Sequence, residues 1–293
     1  GVQTCALPIS TGGTITGVST VQLRNNLELA GPVTFANGVT FYYNTGTLLY
    51  TSGPITTTGS TLIFGISSTT LNTSGITWNN LTFNASTTYT LSSGLDCTGT
   101  LTISGASTFS GAFNMTSGPL IISFASNATL TLSGNITASG LITLGNTTFS
   151  NAINGASFTI TAQNGITMSG TTAIVTGSAN IKCTGGTITG TSSVVLRNNL
   201  ELAGNVTFAN GVTFRYDTGT LLYTSGTITT TNSTLLIGSS ITLNTGGMGT
   251  TTNAWNNVYF AGSTYTITLS SDWNITGTDR KSTRLNSSHV RTS

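Results

Sequence analysis

One long stretch occurs twice in this chain and strongly limits what the chain can fold into. Residues 23–53 read LRNNLELAGPVTFANGVTFYYNTGTLLYTSG, and residues 196–226 repeat them with three differences: Pro32/Asn205, Tyr42/Arg215 and Asn44/Asp217. The copies keep a constant offset of 173 in sequence number. A copied half of a closed sandwich would need a core of its own, whereas a stack of repeating units simply gains further layers. The duplication therefore favours a solenoid.

Short segments that alternate apolar and polar residues continue along nearly the whole chain. Runs such as VTFANG, TLLYTSG and NLTFNA have a period of two, which is typical of strands with one buried face, and the intervening Gly, Asn and Ser suit turns. The sequence predicts an all-β, elongated parallel β-solenoid with coils of roughly 18–25 residues and almost no helix. The predicted inward side chains are Leu27, Leu29, Val33, Phe35, Val39 and Phe41, with their copies Leu200, Leu202, Val206, Phe208, Val212 and Phe214.

A second pair of matching segments begins at Trp78 and Trp255. Their offset is 177 in sequence number, so the second copy has gained four residues before Trp255. The runs WNNLTFNASTTYTLSSGLDCTGTLTISG and WNNVYFAGSTYTITLSSDWNITGT resemble very large repetitive surface proteins of microbes, of the β-strand-repeat, autotransporter-passenger or haemagglutinin-type adhesin class. The resemblance covers nearly all of residues 10–278. It implies an extracellular or cell-surface stalk or adhesin, with cell-surface glycans or host and matrix proteins as partners.

The two ends of the chain differ from its middle. GVQTCALPI at 1–9 and DRKSTRLNSSH at 279–289 resemble the translation of a short-read sequencing adapter, in the two orientations expected at the ends of one fragment. We therefore expect a non-biological leader at 1–9, a solenoid domain at 10–278 and a non-biological, irregular tail at 279–293. The first and last coils of such a stack would have unpaired backbone donors and acceptors, and this predicts end-to-end self-association.

Charge is scarce once these ends are set aside. Residues 10–278 hold four basic and five acidic residues, so no basic patch is expected to recruit nucleic acid. No apolar run reaches the length of a transmembrane helix, and we expect no membrane insertion within this segment.

Six charged residues of the duplicated stretch are candidate surface contacts: Arg24, Glu28, Arg197, Glu201, Arg215 and Asp217. Arg24 and Glu28 flank an Asn-Asn dipeptide, as their copies do. One interpretation is a surface ion pair across a turn, worth at most about 1 kcal/mol. The other is an arginine that grips a ligand. A side chain of Arg24 that lies against Glu28 favours the first interpretation, and one that stacks over an open groove favours the second.

Catalytic, metal and cofactor sites are not expected. The one histidine, His289, lies in the tail, and the acidic residues are scattered along the chain. Cys97 and Cys183 are separated by about four coils, or roughly 20 Å, which is beyond disulfide reach. A carbohydrate-binding or carbohydrate-cleaving β-helix stays open as an alternative and requires a cluster of acids in a groove. An ice-binding solenoid requires regular threonines on consecutive coils, and the uneven sequence spacing of pairs such as Thr129/Thr131 and Thr159/Thr161 weighs against it.

Overall fold

The computed structural model is an all-β protein whose parallel strands stack into a β-solenoid, as the sequence predicts. The described strands follow one another along the chain in a repeating order on three faces, named here the first, second and third face. The structure describes residues 9–65, 67–73, 75–111, 114–124, 129–145, 152–155, 158–168, 179–190, 193–197, 199–244, 254–261, 265–269, 275–277 and 279–281, and these ranges contain no helix.

The first face carries an eight-stranded and then a five-stranded parallel ladder. Its strands are Ile9–Ser10, Leu27–Ala30, Gly46–Ser52, Thr69–Asn72, Thr88–Leu91, Thr108–Ser110, Thr129–Thr131 and Ala152–Asn154, followed by Ser193–Arg197, Thr213–Thr218, Thr234–Ile237, Asn257–Phe260 and Asp279–Lys281.

The second and third faces meet at a corner that two long strands, Asn180–Gly190 and Leu200–Phe208, run across. The other strands of the second face are Gly13–Ile15, Val33–Phe35, Ile55–Thr56, Thr77–Trp78, Leu95–Cys97, Met115–Ser117, Ile136–Ala138, Thr159–Ala162, Thr220–Ser225, Ile241–Asn244 and Ile267–Leu269. Those of the third face are Thr20–Leu23, Thr40–Tyr43, Thr61–Phe64, Asn80–Phe83, Leu101–Ile103, Leu120–Ile122, Ile142–Leu144, Ile166–Met168 and Ile228–Thr229.

Coil length varies while the strands stay in register. Partners on successive coils are as few as 19 positions apart, as in Ile9 and Glu28, and as many as 26, as in Ile241 and Ile267. These spacings are close to the predicted coil length. Because the strands are short, the extra residues lie in the connections between them, where a solenoid tolerates insertions.

Apolar side chains of the described residues from Val21 to Phe260 form one core cluster in the interior. All twelve residues predicted to point inward are at most 7% exposed. The duplication also repeats an aromatic cluster, which the four-residue insertion leaves intact. The ring centroids of Phe35 and Trp78 are 5.4 Å apart, and those of their counterparts Phe208 and Trp255 are 4.8 Å apart. Aromatic packing of this kind adds to the stabilisation from burial alone.

The two copies of the duplicated stretch do not occupy the same face. Leu27–Ala30 pairs with Gly46–Ser52 on the first face, whereas the copy of Leu27–Ala30 lies in Leu200–Phe208 and pairs with Thr220–Ser225 on the second. One step along the chain leads from Leu27–Ala30 to the second-face strand Val33–Phe35, and eight coils separate that strand from Leu200. The 173-residue unit therefore equals eight coils plus one strand.

The corners are held by asparagine side chains and by closely stacked glycines. Asn26 Oδ1 accepts a hydrogen bond from the backbone N–H of Thr47 on the next coil at 2.9 Å, so a side chain supplies the acceptor for this backbone donor. At another corner Gly53 has φ +87°, and a Cβ there would lie 2.5 Å from the carbonyl carbon of Gly31. Only glycine fits such a position without displacing the backbone.

Both ends of the described chain join the stack. Ile9–Ser10 pairs with Glu28 and Leu29, and Asp279–Lys281 pairs with Val258–Phe260. The first three residues of the segment expected to be irregular are thus a strand, while residues 1–8 and 282–293 lie outside the described part of the chain. The non-biological origin of the two ends stays a prediction.

Candidate functional site

Arg24 and Glu28 do not form the ion pair that the sequence suggested. Arg24 Nη2 donates to Gln22 Oε1 at 2.9 Å, and Glu28 accepts a hydrogen bond from Thr51 Oγ1 at 2.7 Å. Arg24 follows a third-face strand and Glu28 lies within a first-face strand, so the turn between them directs the two side chains to different neighbours.

The second copy has an ion pair with a partner that sequence reasoning missed. Lys182 Nζ donates to Glu201 Oε1 at 2.9 Å, and Thr224 Oγ1 donates to the same oxygen at 3.0 Å. Lys182 is the register partner of Glu201 on the preceding coil. The equivalent partner of Glu28 is Ile9, so the first copy has no lysine at this position. The signal is the spacing of one coil length between Lys182 and Glu201, which is recognisable only once the register is known.

Arg215 and Asp217 form a second ion pair, at a place where the copies differ. Arg215 Nε donates to Asp217 Oδ1 at 2.6 Å, and the aspartate side chain is only 9% exposed. A Cβ at Gly238 on the next coil would collide with both side chains, so the pair packs directly against that glycine. Tyr42 and Asn44 of the first copy therefore change together to a charged pair.

The last of the six candidate contacts, Arg197, lies in the first-face strand Ser193–Arg197. Its side chain lies outside the described part of the structure. A ligand-gripping role for this arginine therefore stays a prediction.

A shallow groove of about 350 Å³ runs along the second face beside the Lys182–Glu201 pair. Asparagine and threonine side chains line it together with Leu222. Asn199 Nδ2 donates to Asn180 Oδ1 at 2.9 Å, and Asn199 Oδ1 accepts the backbone N–H of Thr220 at 3.0 Å. The groove offers neutral donors and acceptors around a charge pair that neutralises itself, which suits an uncharged polar ligand.

The fold keeps Asp96, Glu201 and Glu28 apart. Asp96 and Glu201 share one outward column of the second face but lie five coils apart. That separation is about 24 Å at roughly 4.8 Å per coil. Glu28 lies on the first face. Within the described ranges no group of three or more His, Cys, Asp and Glu side chains could hold a metal ion.

Cys97 and Cys183 stand in one inward column with Ser117, Ala138 and Ala162 between them. They are four coils apart and both are buried free thiols, as the sequence predicts. Burial raises the pKa of Cys97 to about 11 and that of Cys183 to about 12. Such thiols are neutral at physiological pH and poor nucleophiles.

Comparison with known proteins yields no relative: no family model, no curated protein and no solved structure matches this chain. No helix suited to crossing a membrane occurs in the described ranges.

Proposed function

We propose that this chain is a structural or adhesive stalk segment of a secreted or cell-surface repeat protein. The observation that carries the proposal is the stacking of thirteen parallel strands, counted over the described residues, on the second face from Gly13 to Leu269. Each coil contacts mainly its neighbours, so added coils add length without requiring a larger core. The outer surface is polar and nearly uncharged, which suits contact with neutral partners such as glycans.

We propose no catalytic role. Glycoside-cleaving sites use two carboxyl groups about 5–9.5 Å apart. The roughly 24 Å between the Asp96 and Glu201 coils exceeds this range by more than a factor of two. Glu201 Oε1 also accepts hydrogen bonds from Lys182 and Thr224, so this carboxylate is already engaged within the protein.

A second candidate function, carbohydrate binding without cleavage, is favoured by the groove beside Lys182 and Glu201. A sugar would be held there by hydrogen bonds to Asn180 and Thr220. Affinity at one such shallow site would be low, and repetition along a longer stalk would raise the avidity.

The stalk proposal is tested by locating the native protein. Antibodies raised against the whole chain should label intact, unpermeabilised cells of the source organism, with label at a distance from the envelope. Label that appears only after permeabilisation would contradict an extracellular or cell-surface stalk.

Carbohydrate binding is tested by applying the whole chain to a glycan array. If the groove binds glycans, the variants Lys182→Met and Glu201→Gln should lose the signal. Arg24→Ala is the matched control, since Arg24 lies outside the groove and bonds only to Gln22 among the described residues. An equal loss in all three variants, or no signal from the unaltered chain, would count against this candidate.

A further inference from the structure

Ten hydroxyl side chains form a regular array on the first face over five consecutive coils. One column contains Thr45, Ser68, Thr88, Thr108 and Thr131, and the other contains Thr47, Thr70, Thr90, Ser110 and Ser133. The register pairs Thr47 with Thr70, Thr70 with Thr90, and Thr90 with Ser110, and it likewise pairs Thr88 with Thr108 and Thr108 with Thr131. We call these ten residues the hydroxyl array.

The array is hidden in the sequence because its coils differ in length. Thr47 and Thr70 are 23 positions apart, whereas Thr70 and Thr90 are 20 apart. The sequence spacing of these residues is uneven because the turns between strands differ in length. The strands themselves remain in register, so the threonines still align in space. In space the rows repeat about every 4.8 Å between coils, and the two columns stand about 6.6 Å apart along each strand.

The rows are backed by packed side chains. Thr69, Tyr89 and Phe109 point inward between the two columns and are at most 2% exposed. The rings of Tyr89 and Phe109 stack with centroids 5.6 Å apart. Since the inward residues of these three rows are packed in the core, the hydroxyls on either side of them are held in place.

The chemistry of the array is uncharged and repetitive. Asp96 is the one charged residue between positions 45 and 133, and it lies on the second face. The hydroxyls of Thr70, Thr88 and Thr108 make no side-chain hydrogen bond to another described residue, so they are available to water. Each threonine also presents a methyl group, whose exposure to liquid water is unfavourable.

We propose that the hydroxyl array binds ice. A ligand that contacts every row must itself repeat in two directions, carry no net charge and offer hydrogen-bonding groups at short intervals, and the surface of an ice crystal does all three. The array holds no aromatic side chain on which a sugar ring could stack, so it is less suited to a crystalline polysaccharide. Ice binding by the first face is independent of the stalk proposal and of the groove on the second face.

The test is inhibition of ice recrystallisation by the whole chain in a frozen sucrose solution. The array variant is Thr88→Lys/Thr90→Lys, which places two flexible charges in the central row. The matched control is Thr137→Lys/Thr161→Lys, which places the same charges in neighbouring outward positions of the second face. Thermal melting followed by circular dichroism shows whether each variant is folded.

The unaltered chain and the second-face control should inhibit growth of ice grains, and the array variant should lose the inhibition while melting as the control does. If the array variant does not fold, the single variant Thr88→Lys replaces it, since Thr88 is exposed and its side chain bonds to no described residue. Absence of inhibition by the unaltered chain overturns the proposal, as does equal loss in folded array and control variants. Retention of the chain on crystalline cellulose in place of ice overturns it too.

Discussion

Glu28 and Glu201 are the same residue in two copies of one sequence, yet they have different neighbours. Both carboxylates accept a hydrogen bond from a threonine hydroxyl on the following coil, Thr51 in one copy and Thr224 in the other. Only Glu201 also has a lysine on the preceding coil. The difference arises because that neighbour is contributed by the chain one coil earlier, beyond the limit of the duplicated stretch.

The Lys182–Glu201 ion pair should contribute little to stability. Its side chains are 35% and 27% exposed, and exposed pairs contribute about 0.2–1 kcal/mol. We expect a double-mutant cycle of Lys182→Ile and Glu201→Gln, measured by denaturant unfolding, to give a coupling free energy within that range. The coupling should shrink in about 1 M salt, which screens partly exposed charges. A coupling above about 3 kcal/mol would show that the pair behaves as a buried one.

The buried thiols predict a loss of stability in alkali. An unfolded thiol ionises near pH 9, whereas the folded pKa is about 11 for Cys97 and about 12 for Cys183. The unfolded state therefore loses these protons first, and the free energy of unfolding should fall as the pH rises from about 9 towards 11–12.

Cys183→Ala is the informative variant for this alkaline effect, because Ala162 already occupies the same column one coil away. It should reduce the fall in unfolding free energy between pH 8 and pH 10.5. Cys5 lies outside the described residues, so the comparison is made in a Cys5→Ser background. A pH profile unchanged by Cys183→Ala would mean that this thiol ionises equally well in the folded chain.

At the level of single strands, the inward and outward side chains of the third-face strand Asn80–Phe83 should contribute unequally to the free energy of unfolding. Phe83 contacts three aromatic rings, those of Phe64, Tyr89 and Phe109, with centroids 4.7–4.9 Å away. Replacing it by alanine should cost about 3–5 kcal/mol of unfolding free energy. Thr82→Ala on the outward side of the same strand should change it by no more than about 0.5 kcal/mol. Similar costs for both variants would contradict the assigned sides.

Glycines in the connections between strands should also differ in how much stability is lost when they are replaced by alanine. Gly38 and Gly53 both have positive φ, of 74° and 87°, but only at Gly53 would a Cβ strike the backbone of the neighbouring coil. Gly38→Ala should cost the roughly 1–2 kcal/mol of a left-handed alanine. Gly53→Ala should cost clearly more, because the corner must also open. Equal melting temperatures for the two variants would refute the close stacking of Gly53 on Gly31.

Sequence patterns predicted the strands and their inward residues, since alternation alone decides which side chains of a strand are buried. Leu29, Val33 and Phe41 are completely buried as expected. The patterns could not predict which strands stack on each other, because coil length varies and the short segments resemble one another. The Lys182–Glu201 pair, the groove and the hydroxyl array all depend on that stacking, and so they became apparent only with the register.

Across the whole molecule, the distance between two residues of one outward column should increase in proportion to the number of coils between them. Spin labels at Asp96→Cys and Glu201→Cys, five coils apart in one column, should be separated by about 24 Å plus or minus the length of the label arms. Labels at Asp96→Cys and Thr116→Cys on adjacent coils should lie within about 5 Å plus the arms. The native cysteines are first replaced by alanine or serine. A five-coil distance close to the one-coil distance would indicate a folded-back arrangement instead of a stack.

The eight-coils-plus-one-strand length of the duplicated unit bears on how such a chain can evolve. The repeated stretch continues the stack although the unit is not a whole number of coils, because the same short strand fits the first face in one copy and the second face in the other. A duplication therefore need not respect coil boundaries to lengthen the solenoid. Each duplication of this length also turns the inherited surface by one face, so that three successive copies would present one ancestral patch in three directions around the axis.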